Sequence, residues 1–335
     1  MRLTQPRAAS SLGLAFALAL FAALLPTARL THARQPANAP AQNTPTAKQD
    51  APAAAREDSS LVFVNVAVTD DYGRFMTGLG KDAFAVFEGN DQSELVYFSD
   101  KEEAQGVGVV FDLSGSMGGV ALDFARGAVV RLSRVANKEN EYFLVGFDAQ
   151  PRLIADWVRD EPSLIVGLNK LGHVEQKKTR SGTALYDAVA LALEKVVRGP
   201  QPRHVLLVIS DGSDNASQTK LGRLREVIKQ SDVTVYGVGL TDVPGGDYNG
   251  RANLEELAAV SGGRAFFPTT EAELDDTFKR IAFELHNSYK LGFRPKSTAH
   301  VGKWHEFNVK VRPPSTFRRV YVRGRPGYYA ARENK

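Results

Sequence analysis

Val107-Gly108-Val109-Val110-Phe111, followed at once by Asp112-Leu113-Ser114-Gly115-Ser116, is the stretch on which the fold turns. An apolar run without alternation is the pattern of a strand covered on both faces, as in a parallel sheet flanked by helices. The run stops at a carboxylate, and a tight glycine-containing turn with two hydroxyls follows. The same design recurs downstream, where His204-Val205-Leu206-Leu207-Val208-Ile209-Ser210 ends in Asp211-Gly212-Ser213. Between the two lies Ser181-Gly182-Thr183-Ala184-Leu185-Tyr186-Asp187, at the head of an apolar-periodic helix. In an open α/β sheet, ligands sit beyond the carboxyl ends of strands, where the strand order reverses. If the two strands are neighbours, Asp112, Ser114, Ser116, Thr183 and Asp211 converge there. Two carboxylates and three hydroxyls are a hard-oxygen set suited to Mg²⁺ or Mn²⁺. The aspartates offset the charge of a divalent ion. The neutral hydroxyls and water leave it electrophilic enough to take a carboxylate from a partner.

Working outward, residues 105–286 alternate strand and helix. Strands are expected at 107–111, 141–147, 203–210, 233–239 and 264–267, with an edge strand at Arg152–Arg159. Helices are expected at about 119–135, 183–198, 219–230, 253–261 and 271–287. The flanks read differently. Leu61–Thr69 alternates and is β-branched, and Phe84–Phe87 and Glu94–Phe98 flank the turn Gly89-Asn90-Asp91. After about Asn287, Tyr289–Phe293, Glu306–Arg312 and Arg319–Arg323 again read as strands. Each flank is small for an independent core. Together, 59–104 and 287–332 are expected to form the two halves of a small β-sandwich, with 105–286 inserted between them.

With these residues in order, Asp112-x-Ser114-x-Ser116, Thr183 and Asp211 resemble the metal-ion-dependent adhesion site of the von Willebrand factor type A (VWFA) domain. The resemblance implies a Rossmann-like doubly wound sheet over 105–286, a bound Mg²⁺ or Mn²⁺, and a protein ligand that presents an Asp or Glu carboxylate. The flanks are similar to a secreted bacterial VWFA-related family of acidobacterial type. The similarity rests on Val64-Asn65-Val66-x-Val68-Thr69-Asp70, the stretch Phe84-x-Val86-Phe87-Glu88, and Gly327-Tyr328-Tyr329-Ala330.

The amino terminus belongs to neither domain. Arg2 and Arg7 precede Leu12–Leu25, 14 uncharged and mostly apolar residues, with small residues at Ala28 and Ala33. This is the order of a secretory signal peptide over residues 1–33, and it implies export to the periplasm or beyond. The run is short for a bilayer span, which needs roughly 20 residues, so membrane attachment follows only if the segment is retained. Residues 34–58 read as a disordered linker, with four prolines and eight alanines in 34–56. The chain has no cysteine, which excludes disulfides and thiolate chemistry. Removing Arg2, Arg7 and Arg29 with the signal takes the net charge from +4 to +1, which gives no reason to expect nucleic-acid binding. Charge is nevertheless uneven. Residues 57–103 hold eleven acidic and three basic residues, and 287–335 hold two acidic and twelve basic. Either these are separate solvated faces, or the segments pack together.

Enzyme chemistry lacks its usual marks, and no catalytic residue is assigned. Aspartyl phosphotransfer sites on similar sheets place a second aspartate where Ser114 stands. No Gly-x-Ser-x-Gly elbow surrounds Ser114 or Ser116. No histidines fall at zinc spacing, and Gly245–Gly250 is followed by no GK[ST], so ATP is not expected. Asp214 and Asn215 read as turn formers. Asp187 fits either a site hydrogen bond or a solvated face, and Asp148 ends another strand. The leading expectation is an exported, non-enzymatic adhesion or interaction module. A metal-dependent hydrolase and a structural domain with an incidental ion are the alternatives.

Overall fold

The computed structural model describes residues 61–115, 117, 119–176, 182–240, 248–296, 302–313 and 319–330. The expected signal and linker segments, and Ser116 of the expected metal set, lie outside the described residues. Strands β1 (Val62–Asp70), β2 (Phe84–Glu88) and β3 (Asp91–Ser99) come first. The α/β domain follows with β4 (Gln105–Asp112), α1 (Gly119–Val135), β5 (Glu141–Phe147), β6 (Pro151–Val158), α2 (Glu161–Gln176) and α3 (Leu185–Val196). It continues through β7 (Arg203–Ser210), α4 (Leu221–Gln230), β8 (Thr234–Gly239), α5 (Tyr248–Ser261), β9 (Arg264–Phe266) and α6 (Glu271–His286). Strands β10 (Tyr289–Arg294), β11 (Trp304–Glu306), β12 (Asn308–Val311), β13 (Val320–Arg323) and β14 (Gly327–Tyr329) complete the chain.

The central sheet runs β6-β5-β4-β7-β8-β9. All pairs are parallel except β5–β6, an antiparallel edge. Every residue of β4 is buried, as its unbroken apolar run requires. One face of the sheet packs on α1, α2 and α6 through Leu122, Val129, Leu164, Leu168, Phe278 and Ile281. The other packs on α3, α4 and α5 through Leu185, Val189, Leu193, Leu224, Ile228 and Leu254. The chain leaves β4 toward β5 on one side, whereas β7 lies on the other. The strand order therefore reverses between β4 and β7, and Asp112 ends the first while Asp211 follows the second.

Helix α2 occupies residues that carried no sequence expectation of helix. Two glycines lower its propensity, yet Leu164, Leu168 and Leu171 recur at helical spacing and are all buried. Asp160 caps its start by accepting from Ser163 N at 2.8 Å. Helix α5 begins at Tyr248, earlier than its apolar pattern implied. Among the described residues no helix is long and apolar enough to cross a membrane.

The flanking strands form one antiparallel sheet, β12-β2-β3-β10-β1-β13, in which strands from before and after the α/β domain interleave. Strand β1 lies between β10 and β13, with Val64 opposite Leu291 and Val68 opposite Val322. The end strands β12 and β13 come back into contact, so the sheet curls on itself, and the separate antiparallel pair β11–β14 adds Tyr328 to its core. That core gathers Val64, Val66, Val68, Phe84, Tyr289 and Phe293 from both flanks. Opposite charges meet there as well, with Lys290 paired to Glu103 at 2.7 Å.

The curled sheet is joined to the α/β domain by a buried polar cluster. Glu284, in the last turn of α6, accepts from Tyr236 OH at 2.7 Å and from Arg323 Nη2. Arg203 Nη1 donates to Leu285 O at 3.1 Å and to Ser288 Oγ at 2.5 Å. Gly262, at φ +80°, marks a close backbone approach at this junction: a Cβ there would lie 2.1 Å from Arg325 N.

Candidate functional site

Asp112 is fully buried at the end of β4. Its Oδ1 accepts from Ser114 N at 2.9 Å, and its Oδ2 accepts from Ser210 Oγ at 2.6 Å. The Ser114 hydroxyl also bonds to it. These donors are neutral, and the neighbouring charge that bears on Asp112 is the second carboxylate, Asp211. Burial pushes the Asp112 carboxyl up to about 6, and Asp211 adds to the rise against the lowering effect of Ser114 and Ser210. Asp211 lies just past β7, and its Oδ1 accepts from Ser213 N at 2.8 Å.

The loop after β7 is shaped by Gly212, at φ +84°. A Cβ there would meet Gly250 O at 2.0 Å, so only glycine allows α5 to approach this closely. Gly212 N donates to Ser210 Oγ at 2.9 Å, and Asn253 Nδ2 donates to Gly212 O at 2.9 Å. Ser210 thus bridges the two aspartate loops, giving its proton to one and accepting an N–H from the other. Sequence reasoning missed this role. The available signal was a hydroxyl at the last, fully buried position of an apolar strand.

Thr183 is buried just before α3. Its segment is pinned on two sides. Asn215 Oδ1 accepts from Thr183 N at 2.8 Å, and Asn215 N donates to Thr183 O at 2.9 Å. Ala184 N donates to Asp148 O at 2.7 Å, tying the segment to the end of β5. Asp214, expected as a turn former, accepts from Tyr186 N at 3.1 Å and from Ser217 Oγ at 2.5 Å. The Asp187 carboxylate accepts from Gln218 N and Thr219 N, each at 2.9 Å. Asp214, Asn215 and Asp187 therefore fasten the Thr183 loop to the Asp211 loop. The Asp148 carboxylate faces Arg152, 2.9 Å away, and contributes through its backbone.

The structure thus brings Asp112, Ser114 and Asp211 together and ties the Thr183 segment to the same loops. Leu113 N donates to Phe147 O at 2.7 Å, which holds the turn after Asp112 against β5. Among the described residues no group of three or more His, Cys, Asp or Glu gathers. The donors here are instead two carboxylates with hydroxyls. That composition fits a hard divalent ion, and two close carboxylates, one fully buried, fit a site whose charge is balanced from outside.

The family model for the von Willebrand factor type A domain matches residues 107–280. The chain belongs to this family, whose members are typically protein-interaction modules. A curated relative, Uncharacterized protein sll0103 of Synechocystis sp., is 22% identical over 183 residues, which cover 53% of this chain and 41% of that protein. Among solved structures, the PilB minor pilin of Streptococcus sanguinis is similar at 16% identity and TM-score 0.45, over 56% of this chain and 63% of the pilin. The vWF domain of the type V pili tip protein Mfa5 from Porphyromonas gingivalis is similar at 14% identity and TM-score 0.43, over 55% and 97%. A von Willebrand factor type A protein from Catenulispora acidiphila is similar at 12% identity and TM-score 0.44, over 74% and 76%. The chain thus spans less than half the length of the curated relative and under two thirds of the pilin.

Proposed function

We propose that the chain is an exported interaction module that captures an acidic side chain of a protein partner through Mg²⁺ or Mn²⁺. Asp112, Ser114, Ser116, Thr183 and Asp211 would hold the ion, with the aspartates direct or through water. The observation that carries this reading is the fully buried carboxylate of Asp112, held by neutral donors beside a second carboxylate. A buried charge is costly unless it is paired, and a divalent cation supplies the pairing. The bound ion would act as a Lewis acid toward an oxygen anion. The chain's own part is to fix two carboxylates and the hydroxyls around one point and to keep the rest of the loops tied down.

Export rests on the charged, apolar and small-residue order of residues 1–33. The binder reading is favoured over hydrolysis because neither a nucleophile elbow nor a second aspartate at position 114 accompanies the set. Calorimetric titration of Mg²⁺ into wild type and Asp112→Ala is the direct test. One site is expected in wild type and none in the variant, and equal uptake by both would remove the site. Capture of envelope proteins is expected in Mg²⁺ and not in chelator. Metal-dependent turnover of phosphate or ester substrates that Asp112→Ala abolishes would instead make the protein a hydrolase.

A further inference from the structure

Away from the metal face, a cavity of about 490 Å³ opens between the two sheets. Arg264 of β9, the last strand of the central sheet, lines one wall. Tyr321 and Arg323 of β13, the last strand of the curled sheet, line another. Arg280 and Glu284, from the C-terminal half of α6, close it. Asp112 and Asp211 stand at the carboxyl ends of their strands, whereas this end of α6 packs at the start of β4, where Gln105 Nε2 donates to Leu285 O at 3.1 Å.

The charges lining the cavity are paired unevenly. Asp70 is engaged by Arg74 at 2.7 Å. Glu284 is engaged by Arg323 and Tyr236. Asp71 accepts a long hydrogen bond from Tyr321 OH at 3.4 Å. Arg264 and Arg280 remain, and neither forms an ion pair among the described residues. The Arg264 guanidinium, only partly desolvated, is held below its ordinary range by that desolvation first and then by the positive charges of Arg323 and Arg280, against the raising effect of Glu284. Arginine does not give up its proton in proteins, so these two guanidiniums stay charged and open to an incoming anion. Arg323 Nη1 is also buried without a hydrogen-bond partner.

The mouth of the cavity is aromatic. Phe75 lines it and packs on the half-exposed ring of Phe283 with centroids 5.5 Å apart. Tyr321 is exposed beside them. Aromatic rings around arginines are the composition of binding hot spots.

We propose that this cavity binds an acidic protein segment, with one carboxylate clamped between Arg264 and Arg280 and a neighbouring apolar side chain laid on Phe75, Phe283 and Tyr321. A planar carboxylate suits the guanidinium fork. A phosphate dianion fits less well, because Asp70, Asp71 and Glu284 line the same space and repel two negative charges more than the single charge of a carboxylate. The site is separate from the metal face and needs no ion.

The test is selection of peptides from a displayed random library on the immobilised full chain in chelator, which silences the metal face. Enriched peptides are expected to carry Asp or Glu next to an aromatic or large aliphatic residue. Their affinity is expected to fall about tenfold or more in the R264Q/R280Q double variant, as loss of a charge clamp predicts. It should be retained only in part in Arg280→Lys, which keeps the charge and loses the fork, and fully in Asp211→Ala. Arg264 and Arg280 are both exposed, so their replacement leaves the fold intact, which circular dichroism checks. Absence of acidic enrichment would overturn the assignment, as would equal binding by the double variant. Displacement of the peptides by inorganic phosphate but not by acetate at the same concentration would make this a phosphate site and overturn it too.

Discussion

Asp112 and Glu284 are both acids buried within the same unit of the chain, and their surroundings are opposite. Glu284 is met by a guanidinium from β13 and a phenol from β8, so its charge is balanced within the chain. Asp112 is met by hydroxyls, a backbone N–H and the field of a second carboxylate. The first arrangement is complete as it stands and joins two sheets. The second gains stability only when a proton or a cation arrives. Buried charge at the junction therefore reads as architecture, and buried charge at the strand ends reads as an invitation to a ligand.

The largest effect is expected at the junction. Glu284→Ala leaves the half-buried Arg323 without its acid and the buried Tyr236 without its acceptor, and should cost about 3 kcal/mol in urea unfolding, the low end for a buried pair. The double variant E284L/R323L removes both charges and should cost less than the single variant, because no uncompensated ion remains. If Glu284→Ala unfolds within about 1 kcal/mol of wild type, the junction is not held by this pair. Neither variant should alter Mg²⁺ affinity, since α6 reaches the metal side only at its other end.

Ser210 sharpens the contrast from the other side. Its hydroxyl orients Asp112 and accepts Gly212 N–H, so Ser210→Ala loosens both aspartate loops. Loss of an outer partner of this kind weakens metal binding by roughly 10–100-fold. Calorimetry against wild type reads this directly, and unchanged affinity would show that the loops are held by other contacts.

The two regions also differ in how far the sequence discloses them. The candidate set could be proposed from sequence because each member falls at a local landmark: the end of an apolar run, a glycine turn, or a helix start. Asp112 and Asp211 needed only the parallel-sheet reading to be placed side by side. The ties that hold the Thr183 loop were not legible, because Asn215 and Asp214 look like ordinary turn formers until the loop they grip is in view. The junction was still less visible. Tyr236, Glu284 and Arg323 lie on three separate elements far apart in sequence, and nothing in their immediate neighbours marks them. Helix α2 was missed for another reason: its leucines are correctly spaced, but its glycines and its place after an edge strand gave it the look of a loop.

Acidification should separate proton from metal at Asp112. Its folded carboxyl titrates at about 6, above the ordinary aspartate value of 3.8. In the metal-free protein this group binds its proton more readily folded than unfolded. Its contribution therefore favours folding as pH falls from about 6 toward 4, and opposes it above 6. Metal binding has the reverse dependence, since the ion requires the carboxylate. Mg²⁺ affinity should be flat above pH 6 and fall up to about tenfold per pH unit below it. A titration series between pH 5 and pH 8 on wild type would reveal the break, and an affinity independent of pH would take Asp112 out of the ion's shell.

The smallest effect is expected in the element that spans both regions. Helix α6 is capped at its start by Thr270, beside the first turn of α1 that follows the aspartate loop, and ends at the Glu284 junction. Thr270 Oγ1 accepts from Glu273 N at 3.2 Å, and the Glu273 carboxylate accepts in return from Thr269 N at 2.8 Å. This is a capping arrangement that satisfies N–H groups at the helix start. Thr270→Ala should therefore cost about 1 kcal/mol of stability. The loss is local to the helix start, so the hydrogen bonds that define Asp112 and Glu284 remain. Mg²⁺ affinity in the variant should match wild type while the urea midpoint shifts down. A fall in affinity larger than the fall in stability would instead mean that the register of α6 governs the aspartate loops, and that the two regions contrasted here are coupled through one helix.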